Sequence, residues 1–352
     1  MTASFTRRVV VTGGSRGGLG YEAARKLVAA GHHVLLTFRD AGKAEAAISS
    51  LRREMPQPTT AGEALGLAGE ERLSWVRLDL DSLDSVRQAG AEITAKWPYI
   101  DALLLNAAVV ESGRSSPRIT KDGFESTYQV NHLSGFLLTQ QLLPALAQSK
   151  APNGARIVVV SSELHQMRSS PLPADPHYAH TLGSTKTAPA HPFKPLQVYG
   201  LSKLCNLWFA FKLSRMLAAT SLPITVDAVT PGWVPATNLG KSNLSWFSSA
   251  LMSYVLPLTS MATTREEGTK RMVDALFGTC ARAGIGANSA SGEPASAAAA
   301  GQDEAWGSGR YFAKGVVAQP SDASLDTQLQ DQLWELSCRA TGVAPKSYLP
   351  KR

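Results

Sequence analysis

The sequence predicts a single doubly wound α/β domain, in which helices cover both faces of a parallel sheet. Short, continuously apolar segments alternate with helical segments from residue 9 to residue 229. Such uninterrupted apolar strands are typical of parallel sheets that are buried on both faces. A length of 352 residues suits one such domain with additions. Hydrophobic residues at 44% and charged residues at 18% exclude a disordered or collagen-like chain.

The elements follow one another in a regular order. The first apolar strand leads into a glycine-rich turn and then into a helical segment, residues 21–30, which stops at Gly31. Near the end, residues 310–312 resume ordered structure and residues 325–340 have the pattern of a helix. We expect residues 1–277 to form the domain and residues 310–352 an extension that packs on its core. Six apolar segments are predicted strands, at residues 9–11, 34–38, 73–78, 102–105, 156–160 and 224–229.

Three segments interrupt this alternation. Residues 56–69 are rich in Pro, Thr, Gly and Ala and are expected to form a surface insertion. Residues 163–198 are rich in proline and histidine, which predicts a long loop. Residues 278–309 are rich in Ala, Ser and Gly, which predicts disorder. The second segment contains four histidines whose spacing matches no zinc pattern, so we expect solvated side chains and no metal site: His165, His177, His180 and His191.

Charge and cysteine content limit the partners and the compartment. The chain has 35 basic and 28 acidic residues, a net charge of +7, but the basic residues are scattered, so we expect no nucleic-acid partner. Cys205, Cys280 and Cys338 form neither a disulfide framework nor a metal-binding spacing, which favours a reducing compartment. Without a signal segment or an apolar run long enough to cross a bilayer, we expect a cytoplasmic protein.

A glycine-rich turn, Thr12-Gly13-Gly14-Ser15-Arg16-Gly17-Gly18-Leu19-Gly20, lies between the first strand and the first helix. Glycines in this context let the backbone approach a pyrophosphate, and the N–H groups that begin the helix attract the anion. The turn therefore predicts a dinucleotide site; an ordinary glycine-rich turn is the alternative.

A tyrosine and a lysine lie four residues apart in Tyr199-Gly200-Leu201-Ser202-Lys203, on one face of a predicted helix. A nearby ammonium group favours phenolate and would lower the pKa of Tyr199 toward neutrality. A phenol tuned in this way suits general acid/base catalysis. Such pairs also arise by chance on helix surfaces, so the pattern alone is weak.

Taken together and in order, these motifs resemble the short-chain dehydrogenase/reductase superfamily over about residues 7–277. The resemblance implies its Rossmann fold and extends to Asn131 and to further motifs at the strand ends: Asp79-Leu80, Asn106-Ala107-Ala108, Ser161-Ser162 and Pro231-Gly232. Within that superfamily, three segments resemble the branch of retinol dehydrogenases and protochlorophyllide reductases: residues 202–206, residues 231–237, and a tail containing residues 308–312 and 334–337.

The resemblance implies hydride transfer between a nicotinamide and a carbonyl or alcohol carbon. Tyr199 would exchange the proton, Lys203 would lower its pKa and hold the ribose, Ser162 would bind the carbonyl oxygen, and Asn131 would seat a water. Capping or backbone-bonding roles are the alternatives for Ser162 and Asn131. The implied cofactor contacts are Gly13, Ser15, Arg16, Gly18, Leu19, Gly20, Arg39, Asp79, Leu80, Asn106, Ala107, Ala108, Tyr199, Lys203, Pro231, Gly232, Val234 and Thr237.

Two features depart from the family pattern. The glycine turn has one residue more than the family motif, so alignment from the left uses Thr12, Gly13 and Gly17, whereas alignment from the right uses Gly14, Gly18 and Gly20. Ser162 and Tyr199 are also unusually far apart along the chain, which requires a segment to loop out between them.

NADP is expected in preference to NAD. Arg39 follows the second strand and Arg16 lies within the glycine turn, and two guanidinium groups can hold the 2′-phosphate of NADP. Asp40 would favour NAD, but its position also allows it to cap the next helix.

An apolar segment, residues 238–262, lies where the family has a substrate lid, which implies that the small-molecule partner is a bulky hydrophobic substrate. The same residues leave open a helix packed on the domain or a peripheral membrane contact, and a homo-oligomer is also left open. Two other functions remain as alternatives: light-dependent C=C reduction of protochlorophyllide, suggested by the resemblance around Cys205, and a non-catalytic nucleotide-binding scaffold.

Overall fold

A central sheet of eight strands organises the computed structural model, which describes residues 5–54, 72–167, 193–235, 262–279 and 308–344. The strands are β1 (Arg8–Val11), β2 (His33–Phe38), β3 (Leu73–Arg77), β4 (Ala102–Leu105), β5 (Ala155–Val160), β6 (Ile224–Val229), β7 (Tyr311–Ala313) and β8 (Val316–Val317). They lie in the order β3-β2-β1-β4-β5-β6-β7-β8, and every neighbouring pair is parallel except β7 and β8. The predicted doubly wound fold is therefore confirmed.

Helices cover both faces of this sheet, as uninterrupted apolar strands require. The helices are α1 (Leu19–Ala29), α2 (Ala41–Glu54), α3 (Leu83–Lys96), α4 (Ser126–Tyr128), α5 (Ser134–Ala147), α6 (Pro195–Ala218), α7 (Arg265–Phe277), α8 (Asp322–Leu325) and α9 (Thr327–Thr341). One apolar cluster joins the sheet to α1, α2 and α7, and a second joins it to α3, α5, α6 and α9. A π-helical turn, Gln129–Leu133, connects α4 to α5, and a 3₁₀ turn, Glu163–Met167, follows β5.

The loop predicted at residues 163–198 is shorter at both ends than expected. Residues 163–167 form the 3₁₀ turn, and α6 begins at Pro195 rather than at Tyr199. Proline is favoured in the first helical turn because its φ is already helical and its missing N–H has no partner to lose there. Residues 168–192 lie outside the described part of the chain, as do residues 55–71, which include the expected insertion at 56–69.

The predicted insertion at residues 278–309 and the predicted lid at residues 238–262 are described only at their edges. Of the insertion at 278–309, Gly278 caps α7 in the left-handed conformation with φ 68°, and the Ser308 hydroxyl accepts a hydrogen bond from the Val226 N–H at 2.9 Å; residues 280–307 are outside the described ranges. Of the predicted lid at 238–262, only Ala262 is described, where it forms a parallel bridge with Trp233.

The C-terminal extension adds two strands and two helices to the domain. β7 pairs with the edge of β6, and α9 packs along α6. The Trp334 ring of α9 lies 5.0 Å from the Phe136 ring and 6.2 Å from the Phe209 ring, measured between centroids. The extension is therefore continuous with the main core. Within the described ranges, no helix has the length and apolarity needed to traverse a bilayer.

A buried ion cluster fixes the entry to β7. The carboxylate of Asp227 on β6 accepts hydrogen bonds from the guanidinium groups of Arg156 and Arg310, and also from the Arg310 backbone N–H at 3.0 Å. The Asp227 and Arg156 side chains are 0% and 1% exposed. Removing one member of such a cluster leaves an uncompensated buried charge, which costs far more than breaking an exposed pair.

We expect Asp227→Asn to lower the free energy of unfolding by about 3–5 kcal/mol, measured by denaturant titration. Asp331→Asn is the matched control, because Asp331 also binds two cations, Lys212 and Arg215, but is half exposed. The control should lose less than about 1 kcal/mol. Equal losses in the two variants would show that the Asp227 cluster does not anchor the extension.

Candidate active site

The carboxyl ends of the first six strands meet at one edge of the sheet because those strands are parallel. The strand order reverses between β1 and β4, and ligands of doubly wound sheets bind in the crevice at such a reversal. The residues that follow these strands are Thr12, Arg39, Asp79, Asn106, Ser162 and Pro231. The fold therefore brings these six residues to a single crevice.

Thr12 ties the two loops at this reversal together. Its hydroxyl oxygen accepts hydrogen bonds from the backbone N–H groups of Asn106 at 2.9 Å and Ala107 at 3.0 Å. The Asn106 side-chain amide donates in return to the Thr12 carbonyl at 2.8 Å. Gly13 follows with φ 81°, a left-handed conformation that favours glycine.

The structure accommodates the extra residue of the glycine turn in its middle. Thr12 and Gly13 directly follow β1, as the alignment from the left expects, whereas Gly18 caps α1 and Gly20 packs on Gly13, as the alignment from the right expects. Gly17, with φ 79°, completes a turn closed by a hydrogen bond from the Gly18 N–H to the Ser15 carbonyl at 3.0 Å. Each alignment is therefore correct for one half of the turn.

The residues of this turn fit a dinucleotide pyrophosphate. Gly18 offers no side-chain cap to the first N–H groups of α1, so these donors remain available to an anion. A β-carbon on Gly20 would come within 2.3 Å of the Gly13 carbonyl oxygen, so only glycine permits this close approach. Ser15 and Arg16 are exposed beside it.

The groups expected near the adenosine end are open to solvent. Arg39 is exposed directly after β2. The Asp40 carboxylate accepts a hydrogen bond from the Lys43 N–H at 2.8 Å and so caps α2, as the sequence allowed. Asp79 and Leu80 are half-buried after β3, with the Asp79 N–H donating to the Ser85 hydroxyl at 2.9 Å. Ala107 and Ala108 are half-buried beyond Asn106.

Ser162 and Tyr199 meet although the chain separates them widely. The Ser162 hydroxyl lies beside the Tyr199 hydroxyl, and the Tyr199 side chain is buried in α6. Burial raises the pKa of Tyr199 to about 12, and the interaction with Ser162 opposes this shift. The expectation that the pKa of Tyr199 is lowered toward neutrality is therefore wrong for this structure, because the loss of hydration on burial outweighs the opposing effect of Ser162.

The position and charge of Lys203 explain why the pKa of Tyr199 is not lowered. Its Nζ lies 5.6 Å from the centroid of the Tyr199 ring and donates a hydrogen bond to the Val160 carbonyl at 3.0 Å. Burial lowers the pKa of Lys203 to about 7, so near neutral pH the amine is only partly charged and has little influence on the phenol. The Asn206 side chain donates to the same carbonyl at 3.2 Å.

Asn131 lies in the π-helical turn and connects a loop to α6. Its amide nitrogen donates to the Val109 carbonyl and to the Ser202 hydroxyl, both at 2.9 Å, and its oxygen accepts from the Val109 N–H at 2.7 Å. The Ser202 hydroxyl donates in turn to the Tyr199 carbonyl at 2.7 Å. A cavity of about 10 Å³, lined by Asn131, Thr12 and Asn206 among others, has room for about one water molecule. The water contact of Asn131 stays a prediction.

The turn after β6 closes the crevice on its other side. Gly232 has φ 85°, and a β-carbon there would lie 2.3 Å from the Thr263 hydroxyl. The Arg271 guanidinium donates to the Pro231 carbonyl at 2.9 Å. Val234 is buried beyond this turn, whereas Thr237 lies outside the described residues.

Sequence reasoning missed several residues that build this site. Ser202 lies inside the Tyr–Lys motif and could have been found by its spacing, whereas Arg271 is far along the chain and gives no local signal. His165, expected to be solvated, is completely buried three residues after Ser162. Cys205 is buried in an apolar cluster with Trp208 and Leu333 on the side of α6 covered by α9, so it packs as a core residue.

Comparisons with known proteins agree with this fold. The family model described as short chain dehydrogenase matches residues 7–179. Mouse polyprenol dehydrogenase is 31% identical over 337 residues, covering 96% of this chain and 84% of that protein. Human retinol dehydrogenase 14 is 36% identical over 237 residues, covering 66% of this chain and 63% of that protein, which is less than two thirds of its length.

Two solved structures share the architecture. An uncharacterised protein from Mycobacterium paratuberculosis superposes with a TM-score of 0.62 at 24% identity, covering 96% of this chain and 95% of that one. A short chain dehydrogenase from Escherichia coli CFT073, complexed with NADPH, superposes with a TM-score of 0.54 at 19% identity, covering 87% of this chain and 95% of that one. The similarity to polyprenol dehydrogenase extends over almost the whole chain, and the chain belongs to the short-chain dehydrogenase/reductase family, as an oxidoreductase of its retinol dehydrogenase-like branch.

Proposed function

We propose that the protein transfers a hydride between the nicotinamide of NADP(H) and the carbonyl or alcohol carbon of a hydrophobic substrate, with Tyr199 as the proton donor or acceptor. The observation that carries this proposal is the contact between the Ser162 and Tyr199 hydroxyl groups beyond the carboxyl end of β5. It brings two hydroxyl groups together at the edge of the sheet that also carries the glycine turn. Bound nicotinamide would supply the hydride.

The protonation states favour proton donation by the phenol. With a pKa of about 12, Tyr199 is neutral at physiological pH, which is the form that can donate a proton to the oxygen of a carbonyl as it is reduced. Ser162 is half-buried, so its hydroxyl can hydrogen-bond the same oxygen. Oxidation of an alcohol, the reverse reaction, needs Tyr199 as phenolate to accept the proton. A fully charged Lys203 ammonium would favour that form.

Two exposed arginines support NADP over NAD. Arg39 and Arg16 lie where guanidinium groups can bind a 2′-phosphate. The carboxylate that would favour a free ribose hydroxyl, Asp40, is engaged as the cap of α2. The E. coli relative in its NADPH complex is consistent with this choice.

The relatives support an apolar alcohol or its carbonyl partner as the substrate. Two of them are named for the dehydrogenation of retinol and of polyprenol, both long apolar alcohols. The predicted lid at residues 238–262 is also apolar.

The function is tested by following NADPH absorbance with a panel of ketones, aldehydes, retinoids and steroids. Consumption of NADPH with an apolar carbonyl compound, and slower consumption of NADH, is the expected result. Activity confined to illuminated protochlorophyllide would replace this proposal by light-dependent reduction. Tight NADPH binding without turnover on any compound would indicate a nucleotide-binding scaffold.

Tyr199→Phe should reduce turnover by about a hundredfold or more, because the proton donor is removed. Its Kd for NADPH, measured by fluorescence, should stay close to the wild-type value. Tyr99→Phe is the control, since Tyr99 precedes β4 at the opposite edge of the sheet. A Tyr199→Phe enzyme that kept more than about a tenth of the wild-type rate would exclude Tyr199 as the principal acid.

Arg39→Ala should weaken NADPH binding by about ten- to a hundredfold, because one charge-assisted contact to a phosphate is lost, while NADH binding is nearly unchanged. Isothermal titration with both cofactors measures this difference. Arg53→Ala, an exposed arginine in the last turn of α2, serves as the control. Equal weakening with NADPH and NADH would assign Arg39 a structural role instead.

Gly20→Ala should weaken the binding of NADPH and NADH alike by about tenfold or more, because the new methyl group would collide with the Gly13 carbonyl and the Asn106 side chain and displace the glycine turn. Gly42→Ala is the matched control, since its added β-carbon would lie 3.5 Å from the nearest atom, the Asp40 carboxylate oxygen, an ordinary contact. Unchanged binding in Gly20→Ala would place the pyrophosphate away from this turn.

A further inference from the structure

His165 is a buried histidine that the proposed chemistry does not use. It lies in the 3₁₀ turn Glu163–Met167, three residues after Ser162, and its side chain is 0% exposed. The residue belongs to neither the glycine turn nor the Tyr–Lys pair. Its contacts nevertheless reach from Ser162 to the C-terminal extension.

Both ring nitrogens of His165 are engaged. Nε2 accepts a hydrogen bond from the Ser321 backbone N–H at 3.2 Å. A backbone N–H can only donate, so Nδ1 carries the ring proton and donates it to the Ser162 carbonyl oxygen, 2.7 Å away. Burial lowers the pKa of His165, which keeps the imidazole neutral and Nε2 able to accept.

The turn that carries His165 is held from two sides. On one side, the His165 ring meets the Tyr311 ring of β7 edge to face, with centroids 5.4 Å apart. On the other side, the Leu164 carbonyl lies so close to α6 that a β-carbon on Gly200, the residue after Tyr199, would come within 2.7 Å of it. The position of Ser162 relative to Tyr199 therefore depends on both contacts.

We propose that His165 is a positioning residue, which fixes Ser162 through its backbone carbonyl and makes the C-terminal extension part of the framework of the active site. This inference rests on the proposed function, since it concerns the placement of the Ser162 hydroxyl beside Tyr199. His165 itself contacts neither substrate nor cofactor in this role.

Two further hydrogen bonds also join the C-terminal extension to the candidate site. His132, next to Asn131, is hydrogen-bonded through Nε2 to the Ser337 hydroxyl of α9 at 2.8 Å. Trp208, in the helix that carries Tyr199 and Lys203, donates from its indole nitrogen to the Ala323 carbonyl of α8 at 2.7 Å. The extension thus touches each of the three segments that carry the proposed catalytic residues.

The test compares variants that remove different parts of this connection. His165→Phe keeps a ring against Tyr311 but loses both hydrogen bonds, and should lower kcat by about tenfold or more, because small displacements of a reacting group are costly. The Kd for NADPH should be unchanged. His165→Asn keeps a donor at the position of Nδ1 but loses the contacts with Ser321 and Tyr311, so it should recover only part of the lost rate.

A second variant isolates the contact with the extension. Ser321→Pro removes the backbone N–H together with the Ser321 hydroxyl, which is buried without a hydrogen-bond partner among the described residues, and the φ of Ser321, −63°, already suits proline. Ser321→Pro should lower kcat, as His165→Phe does, although the His165 imidazole is intact. Hydrogen exchange adds a readout independent of turnover: the Ser321 amide should exchange faster in His165→Phe than in the wild type.

His32→Phe is the matched control. His32 is also buried and accepts a backbone hydrogen bond, from the Arg7 N–H at 3.2 Å, but it precedes β2 at the opposite edge of the sheet. It should lower Tm without lowering kcat. A folded His165→Phe enzyme with wild-type kcat would overturn the inference and leave the proposed function intact. A wild-type enzyme that oxidises no NADPH with any compound of the panel would overturn the proposed function, and the inference with it.

Discussion

Parallel pairing across the reversal between β1 and β4 is the constraint on which the rest of the molecule depends. It places the residues that follow six strands at one edge of the sheet. It also leaves a crevice between β1 and β4, where the connections that follow the two strands lead to opposite halves of the sheet. Thr12 makes this reversal rigid, because one hydroxyl accepts two backbone N–H groups from the neighbouring loop. The glycines can then approach so closely that no side chain fits between them.

Burial, rather than charge pairing, governs the ionisation of the two central groups. Both Tyr199 and Lys203 are shifted toward their neutral forms. The ammonium that a sequence pattern would place beside the phenol instead donates to the Val160 carbonyl. Acid/base behaviour at this site is therefore set by how much water and counter-charge reach the crevice, more than by the spacing of two side chains along a helix.

The sequence was most informative where chemistry is local. Apolar strands, the glycine turn and the cap at Asp40 depend on neighbouring residues, and each could be predicted. The extra residue in the turn could be resolved only by the conformations of Gly13 and Gly17. The pairing of β7 with β6, the burial of His165 and the contact of Arg271 with the Pro231 turn join residues far apart in the chain, and no local pattern encodes them.

The attachment of the extension has a consequence for biosynthesis. Residues 308–341 follow every other part of the candidate site in chain order, yet they supply the partners of His165, His132 and Trp208. A ribosome produces the glycine turn and all six inner strands before these partners exist, and domains fold as their segments emerge. We therefore expect the nascent chain to pass through a stage in which the crevice can form but its Ser162 turn is still unanchored. If His165 has the positioning role proposed above, competence for catalysis would follow the extension rather than the sheet.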